Sequence, residues 1–237
     1  MFFPFADDNP TVKPPAVTVA LIAVNVVVFL YQLSLPEPQS THFVFGYGMI
    51  PAVVFGSAHL PASIATLDPW LTVISSMFLH GSIMHIFGNM LFLWVFGNNI
   101  EDSLGHVRYL LFYLLSGIAA ALTQGLIEPG SEIPMIGASG AISGVLGAYL
   151  VLHPHAHVRV LVFIVIFIRV LVLPAMIVLG IWFFFQVVSA LAAAPGEGGV
   201  AWFAHIGGFV AGAALIFVMR PAGQSLFGGG RRRGPWG

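Results

Sequence analysis

Four polar side chains in strongly apolar stretches are the residues of this chain best suited to chemistry. A histidine such as His205 can take the hydroxyl proton of Ser139 and so make the serine a nucleophile for a carbonyl carbon. His85 and Asn89 are four residues apart, which puts them on one face of a helix. There their N–H groups are suited to stabilise the oxyanion that such an attack creates. The four residues predict acyl transfer by a Ser-His dyad.

Two other interpretations of the same residues remain open at this point. His80, His85 and His205 could be metal ligands, but the apolar stretches contain no Asp or Glu to share a 2+ charge, and the chain has no cysteine. Polar groups inside apolar helices can also serve only as hydrogen bonds between helices. We expect the catalytic use and no metal.

The composition identifies the surroundings of these residues. Of the 237 residues, 58% are hydrophobic and 7% are charged, whereas a soluble domain carries roughly 25% charged residues. This excludes the soluble globular classes and predicts a polytopic membrane protein. Eight Lys and Arg residues form no broad basic patch, so we expect no nucleic-acid partner. The partners expected are the lipid bilayer and other membrane proteins.

Apolar runs of roughly 20 residues are long enough to cross the hydrocarbon core of a bilayer. The chain offers six of them, which predicts an all-α bundle of six transmembrane helices. A further apolar stretch, 158–171, is short and has an arginine near each end, so we expect it at the membrane interface and not in a seventh span. The six predicted spans are 16–35, 79–96, 107–127, 135–152, 173–193 and 201–219.

The positions of the charges predict the orientation. With six spans, every Lys and Arg lies on the side of the two termini. The charged residues in the loops of the other side are all Asp or Glu. By the positive-inside rule both termini are cytoplasmic, and we expect a protein of the cell (inner) membrane. The predicted organisation is a cytoplasmic segment 1–15, a membrane domain 16–219 with a long outward loop 36–78, and a disordered Gly- and Arg-rich tail 220–237.

The spans can bring the polar side chains to one level. Ser139, His205, His85 and Asn89 each follow an outward loop by a few residues, which places them roughly 5–15 Å below the outer surface at about 1.5 Å per residue. Glycines allow the close helix contact that a Ser-His pair requires. They form one set on span 4 and one on span 6: Gly140, Gly144 and Gly147, and Gly208 and Gly212.

Three motifs in this order resemble those of the rhomboid intramembrane serine proteases. The chain has Gly137-Ala138-Ser139-Gly140 where the family has GxSG, and His85-Ile86-Phe87-Gly88-Asn89 where it has HxxxN. Ala204-His205-Ile206-Gly207-Gly208 is similar to AHxxG. The resemblance implies a rhomboid-like six-helix fold and cleavage of transmembrane segments near the outer membrane face. It implies no metal and no organic cofactor.

The resemblance also implies roles for individual residues. Ser139 would be the nucleophile, His205 the general base, and His85 and Asn89 would help the Ser139 amide hold the oxyanion. His80, Gly137 and Gly140 would support these groups without reacting. The alternative is a non-catalytic relative that binds transmembrane segments for sorting or degradation, although such proteins typically lack the serine or the histidine.

Two positions depart from the family pattern. Trp70 is followed by Leu71 where the family often has Trp-Arg. Four residues after the nucleophile, many members have an aromatic residue that packs on the catalytic histidine, and this chain has Ser143. The sequence therefore leaves open what positions His205.

Overall fold

A computed structural model describes residues 2–164, 167–193 and 199–228 of the chain. Within these ranges the fold is mostly helical, with one small antiparallel sheet. The helices are α1 (Ala16–Ser34), α2 (Gln39–Tyr47), α3 (Pro51–Val54), α4 (Pro69–Ser75), α5 (Ile83–Leu104), α6 (His106–Ile127), α7 (Ser139–Leu152), α8 (Ala175–Ala192) and α9 (Trp202–Met219). The strands are β1 (Phe2–Asp7), β2 (His157–Ile164) and β3 (Phe167–Pro174).

Five of these helices are long and apolar enough to cross a membrane: α1, α5, α6, α8 and α9. They correspond to five of the six predicted spans. The remaining one, α7, has 14 residues, which is about 21 Å at the α-helical rise and shorter than the roughly 30 Å of a hydrocarbon core. It begins at Ser139, four residues later than predicted, and all but three of its residues are buried inside the bundle.

The prediction of an all-α fold is wrong at one end of the molecule. The described part of the stretch 158–171, which we expected at the membrane interface, is not helical: β2 and β3 pair as an antiparallel hairpin, with His157 opposite Pro174. Residues of the predicted N-terminal segment add β1 to the other edge of β2. The hairpin is rich in β-branched residues, which favour strands. Val158 and Val160 are fully buried against the helices.

The long loop 36–78 packs against the bundle. It contains α2, α3, α4 and a short 3-10 helix, Ser76–Phe78. Met49 and Met135 exchange two backbone hydrogen bonds, of 3.1 and 2.8 Å. The Ser75 hydroxyl donates to the Tyr47 carbonyl at 2.6 Å. The loop therefore holds the segment that leads into α7.

A buried carboxylate joins α1 to α5. Glu101 accepts hydrogen bonds from the backbone N–H groups of Val17 and Thr18, both at 2.8 Å, and from the Thr18 hydroxyl at 2.7 Å. These amides lie in the first turn of α1, where a helix leaves its N–H groups without intrahelical acceptors and favours negative charge. The contact fixes the first helix against the core.

The tail was expected to be disordered from residue 220. Its described part instead contacts the end of α7, because Phe227 and Gly228 donate backbone hydrogen bonds to the carbonyls of Val151 and Leu152, at 2.8 and 3.1 Å. The rest of the tail, 229–237 with its three consecutive arginines, lies outside the described residues, as does most of the expected outward loop before α9.

Candidate active site

Ser139 is the first residue of α7 and directly follows a turn that contains a glycine with a positive φ. Gly137 has a φ of +125°, a region that favours glycine. Its N–H donates to the Ser76 carbonyl at 2.9 Å, which fixes the turn to the end of the long loop. The Ser139 amide belongs to the first turn of a helix, where N–H groups have no intrahelical acceptor. The serine thus combines a hydroxyl with a nearby available backbone donor.

His205 lies in the first turn of α9, directly beside that serine. Its Nε2 is 2.8 Å from the Ser139 Oγ. The glycines of α7 and α9 face each other, as the sequence predicts: a Cβ on Gly208 would overlap with the Gly140 carbonyl, and one on Gly212 with the Gly144 carbonyl. Backbone contact between the two helices therefore makes the short Ser-His distance possible.

His85 lies in the first turn of α5, and neighbouring groups fix the orientation of its ring. The Ser82 hydroxyl caps the helix by accepting from the His85 N–H at 3.1 Å. The Gly81 N–H donates to His85 Nδ1 at 3.4 Å. Because a backbone N–H can only donate, Nδ1 is the acceptor and Nε2 carries the proton. His85 therefore has a ring N–H available as a hydrogen-bond donor.

Asn89 is buried one turn further along α5. Its Nδ2 lies 2.9 Å from Nε2 of the fully buried His80. This contact fixes the Asn89 amide and leaves its second N–H available to another acceptor. His80 is itself anchored to α1, because its backbone N–H and carbonyl both bond the Gln32 side chain, at 3.1 and 3.2 Å.

The four predicted chemical groups line one cavity of about 720 Å³. Gly137 lies against their donors: a Cβ there would be 2.7 Å from His85 Nε2 and 3.7 Å from Asn89 Nδ2. A small acceptor could approach the same donors only because Gly137 has no side chain. The cavity thus combines a nucleophile, a base and several donors, as acyl transfer requires.

Two residues of α8 contact His205, and the sequence reasoning did not identify either. Gln186 Oε1 lies 2.8 Å from His205 Nδ1. The Trp182 ring lies 6.0 Å from the imidazole between centroids, inclined at 35°. Gln186 carried the signal that singled out the histidines, a polar side chain in an apolar span. Trp182 carries no such signal, because it lies among apolar and aromatic residues of the same span.

Ser143, at the position where many family members have an aromatic residue, does not pack on the His205 ring as that residue would. It is buried, and its hydroxyl donates to the Ser139 carbonyl at 2.7 Å. The ring contacts of His205 come from Trp182 and from Trp202, which lies edge-on at 6.1 Å. The aromatic support of the histidine is therefore supplied by α8 and α9, and α7 does not provide it.

Comparisons with known proteins agree on one family. A family model described as Rhomboid domain matches residues 68–222. The chain is 32% identical over 148 residues to the mitochondrial Rhomboid protein 1 of Saccharomyces cerevisiae, and 30% identical over 147 residues to RHOMBOID-like protein 5 of Arabidopsis thaliana. It is 37% identical over 98 residues to the Rhomboid protease GluP of Bacillus subtilis.

These matches cover only parts of the relatives. They span 60%, 62% and 41% of this chain, and 38%, 43% and 18% of the yeast, Arabidopsis and Bacillus proteins. The chain thus corresponds to less than half the length of each. The matched family region contains all four polar residues that line the cavity.

Proposed function

Because this chain belongs to the rhomboid family, we propose that it is an intramembrane serine endopeptidase. Its substrates are transmembrane segments of other membrane proteins, cut near the outer membrane face. Ser139 is the nucleophile and His205 the general base, with His85 and Asn89 as oxyanion donors. The Bacillus relative is named a rhomboid protease, which supports the same class of activity.

The observation that supports this proposal most directly is the 2.8 Å distance between Ser139 Oγ and His205 Nε2 at the wall of a cavity. This is the reach that a general base needs for the proton it removes. Packing between α7 and α9 alone would be satisfied by glycines. A serine and an imidazole in hydrogen-bond contact beside a large cavity are the arrangement of a hydrolase.

The geometry suggests a two-step reaction. His205 Nε2 accepts the Ser139 proton while Oγ bonds to the substrate carbonyl carbon, whose oxygen becomes an oxyanion held by His85, Asn89 and the Ser139 amide. The imidazolium then protonates the departing amide nitrogen as the peptide bond breaks. In the second step His205 takes a proton from a water molecule as the water oxygen bonds to the acyl carbon. The imidazolium then returns that proton to Ser139 Oγ as the bond between Oγ and the acyl carbon breaks, which releases the carboxyl fragment and regenerates the serine.

The proposed setting is a six-span core in which α7 is the short span. A helix of 14 residues that starts below the membrane surface would place its first residue, Ser139, at a depth that water can reach through the cavity. Both termini would face the cytoplasm, as the charge distribution predicts, and the cavity would open on the other side.

Cleavage of a model transmembrane substrate by the purified protein in detergent or proteoliposomes tests the proposal. We expect Ser139→Ala and His205→Ala each to abolish cleavage and labelling by a fluorophosphonate, and a chelator to have no effect. Ser57→Ala and His59→Ala, in the surface loop, are the matched controls. Substrate binding without cleavage by the unmodified protein would support the non-catalytic alternative.

A further inference from the structure

Gln186 and His205 form a contact whose direction can be deduced from hydrogen-bond chemistry. A glutamine amide has one end that accepts and one that donates, and a wrong assignment would reverse the argument. Here the Gln186 Nε2 lies 3.1 Å from the carbonyl oxygen of Trp182, one turn earlier on α8. A carbonyl oxygen can only accept, so the NH₂ end must face Trp182.

The opposite end of the amide then faces His205. The Gln186 Oε1 lies 2.8 Å from Nδ1 of the imidazole, and an amide oxygen can only accept. Nδ1 must therefore carry the proton. In a neutral imidazole the other nitrogen is then unprotonated, and that nitrogen, Nε2, is the one that lies 2.8 Å from Ser139.

We propose that Gln186 is a positioning residue for the dyad: it holds His205 in the Nδ1–H tautomer, the form in which Nε2 can accept the Ser139 proton. The role rests on the proposed serine protease function. Gln186 is a neutral side chain, yet it orients the histidine as the third group of a hydrolytic triad does. Trp182, four residues before it on α8, packs against the ring that Gln186 orients.

The position of Gln186 separates this role from substrate binding. The side chain is buried, and it is absent from the residues that line the cavity. It lies on the side of the imidazole away from Ser139, with the ring between them. A substrate in the cavity would therefore not contact it, and its replacement should change kcat and leave KM near the value of the unmodified enzyme.

The chain offers a matched control on the neighbouring helix. Gln124, on α6, is also buried, and its Oε1 accepts from the Ala204 N–H of α9 at 3.2 Å. It stabilises the same first turn of α9 without contacting the imidazole, but it lines the cavity, so it is a control for the tautomer and not for the kinetics. Gln124→Met and Gln186→Met each replace a buried amide that bonds α9 with an apolar side chain of similar length. Only the second removes the acceptor from Nδ1.

The tautomer can be measured without any activity. In the full-length protein labelled with ¹⁵N-histidine, the ring nitrogens of His205, assigned by comparison with His205→Ala, should show a protonated Nδ1 and an unprotonated Nε2 at neutral pH. We expect this signature to persist in Gln124→Met and in Gln186→Glu, which keeps an acceptor oxygen, and to weaken in Gln186→Met. A protonated Nε2 in the unmodified protein would overturn the proposal.

Kinetics provide the second measurement. Gln186→Met loses one neutral hydrogen bond to His205. Its kcat for a model transmembrane substrate and its rate of fluorophosphonate labelling should both fall by roughly 3- to 30-fold. KM should be unchanged, and Gln186→Glu should recover part of the loss. No loss in Gln186→Met, or a rise in KM with kcat unchanged, would contradict the positioning role. Absence of any cleavage by the unmodified protein would instead contradict the proposed function.

Discussion

Gly208 on α9 faces the carbonyl oxygen of Gly140 on α7 so closely that any side chain at position 208 would overlap with it. Gly140 directly follows Ser139, and Gly208 lies three residues after His205 on the same helix. The contact between the two glycines therefore determines how far apart the hydroxyl and the imidazole are. The geometry of the Ser139–His205 pair therefore depends on the backbone separation of two helices.

Gly208→Ala should consequently impair activity without removing a chemical group. The added methyl group would push α9 away from the backbone of α7, which cannot move aside as a flexible side chain can. We expect a loss of about 100-fold in kcat/KM, the order expected from a displacement of about 1 Å, and a loss of about 1–3 kcal/mol in unfolding free energy. Cleavage of a transmembrane substrate and thermal unfolding measure the two effects.

The control for Gly208→Ala is Gly180→Ala on α8, where an added Cβ has no neighbour within 4 Å. It should retain both activity and stability. Full activity of Gly208→Ala would show that the Ser-His distance does not depend on this helix contact.

Asn89→Ala should lower kcat and leave KM almost unchanged, because an oxyanion donor acts only after the carbonyl has been attacked. Removal of one such donor is expected to cost about 10- to 1000-fold. Asn25→Ala is the matched control: Asn25 is also a buried amide, but it donates to the Leu21 carbonyl of its own helix α1 and does not line the cavity. If Asn89→Ala cleaved substrate as fast as the unmodified enzyme, Asn89 would not be an oxyanion donor.

Gly137→Ala tests the space beside the proposed oxyanion donors. Its Cβ would lie 2.7 Å from His85 Nε2, and its φ of +125° is unfavourable for alanine. We expect cleavage to fall by at least about tenfold, since the donor would be blocked or displaced.

Gly56→Ala separates backbone strain from crowding. Gly56 also has a positive φ, +80°, but no neighbour within 4 Å of an added Cβ. Gly56→Ala should therefore lower the free energy of unfolding and leave the cleavage rate unchanged. Equal activity losses in the two variants would mean that strain alone explains the effect of Gly137→Ala.

Asp7 should make stability depend on pH. Burial of its carboxyl raises its pKa from 3.8 to about 6, the hydrogen bond from Tyr149 opposes the rise, and the charge of Asp8 adds to it. The folded state then holds the proton more tightly than the unfolded chain does. The free energy of unfolding should therefore fall as the pH rises from about 4 to about 6 and stay lower above that range.

Asp7→Asn should remove this fall, because an amide keeps an acceptor for Tyr149 and carries no charge. Thermal unfolding in detergent between about pH 4.5 and 7 measures the effect. Glu37→Gln, which alters an exposed carboxylate at the far end of α1, should retain the dependence of the unmodified protein. An unchanged pH dependence in Asp7→Asn would assign the effect to other groups.

The absence of cysteine from the chain permits a clean test of orientation. Single cysteines at the exposed positions Ala62, Val12 and Ala222 report on the long loop and on the two ends of the described chain. With a membrane-impermeant maleimide on intact cells, we expect labelling of Ala62→Cys only. The other two should react after lysis. Labelling of Val12→Cys in intact cells would reverse the predicted orientation.

Local pattern was sufficient to find the membrane helices and the polar residues within them. Apolar runs of about 20 residues predicted α1, α6, α8 and α9 to within two residues, whereas α5 begins four residues and ends eight residues later than predicted. Local pattern was insufficient to predict the hairpin in 158–171, because a short apolar run does not distinguish a strand from a helix segment. β2 also pairs with β1, where Phe2 lies opposite Val162, more than 150 residues away in the sequence. No local pattern reveals such a contact.

By itself, the sequence determined that the chain is a membrane protein of the rhomboid type, and it singled out Ser139, His205, His85 and Asn89. These conclusions depend on composition, spacing and motif, which are local properties. Only the tertiary structure decided that Ser139 and His205 are 2.8 Å apart and that Gln186 and Trp182 hold the imidazole from α8. The reason is physical: which side chain of one helix meets a given side chain of another depends on how the helices pack, and that packing is a property of the whole bundle.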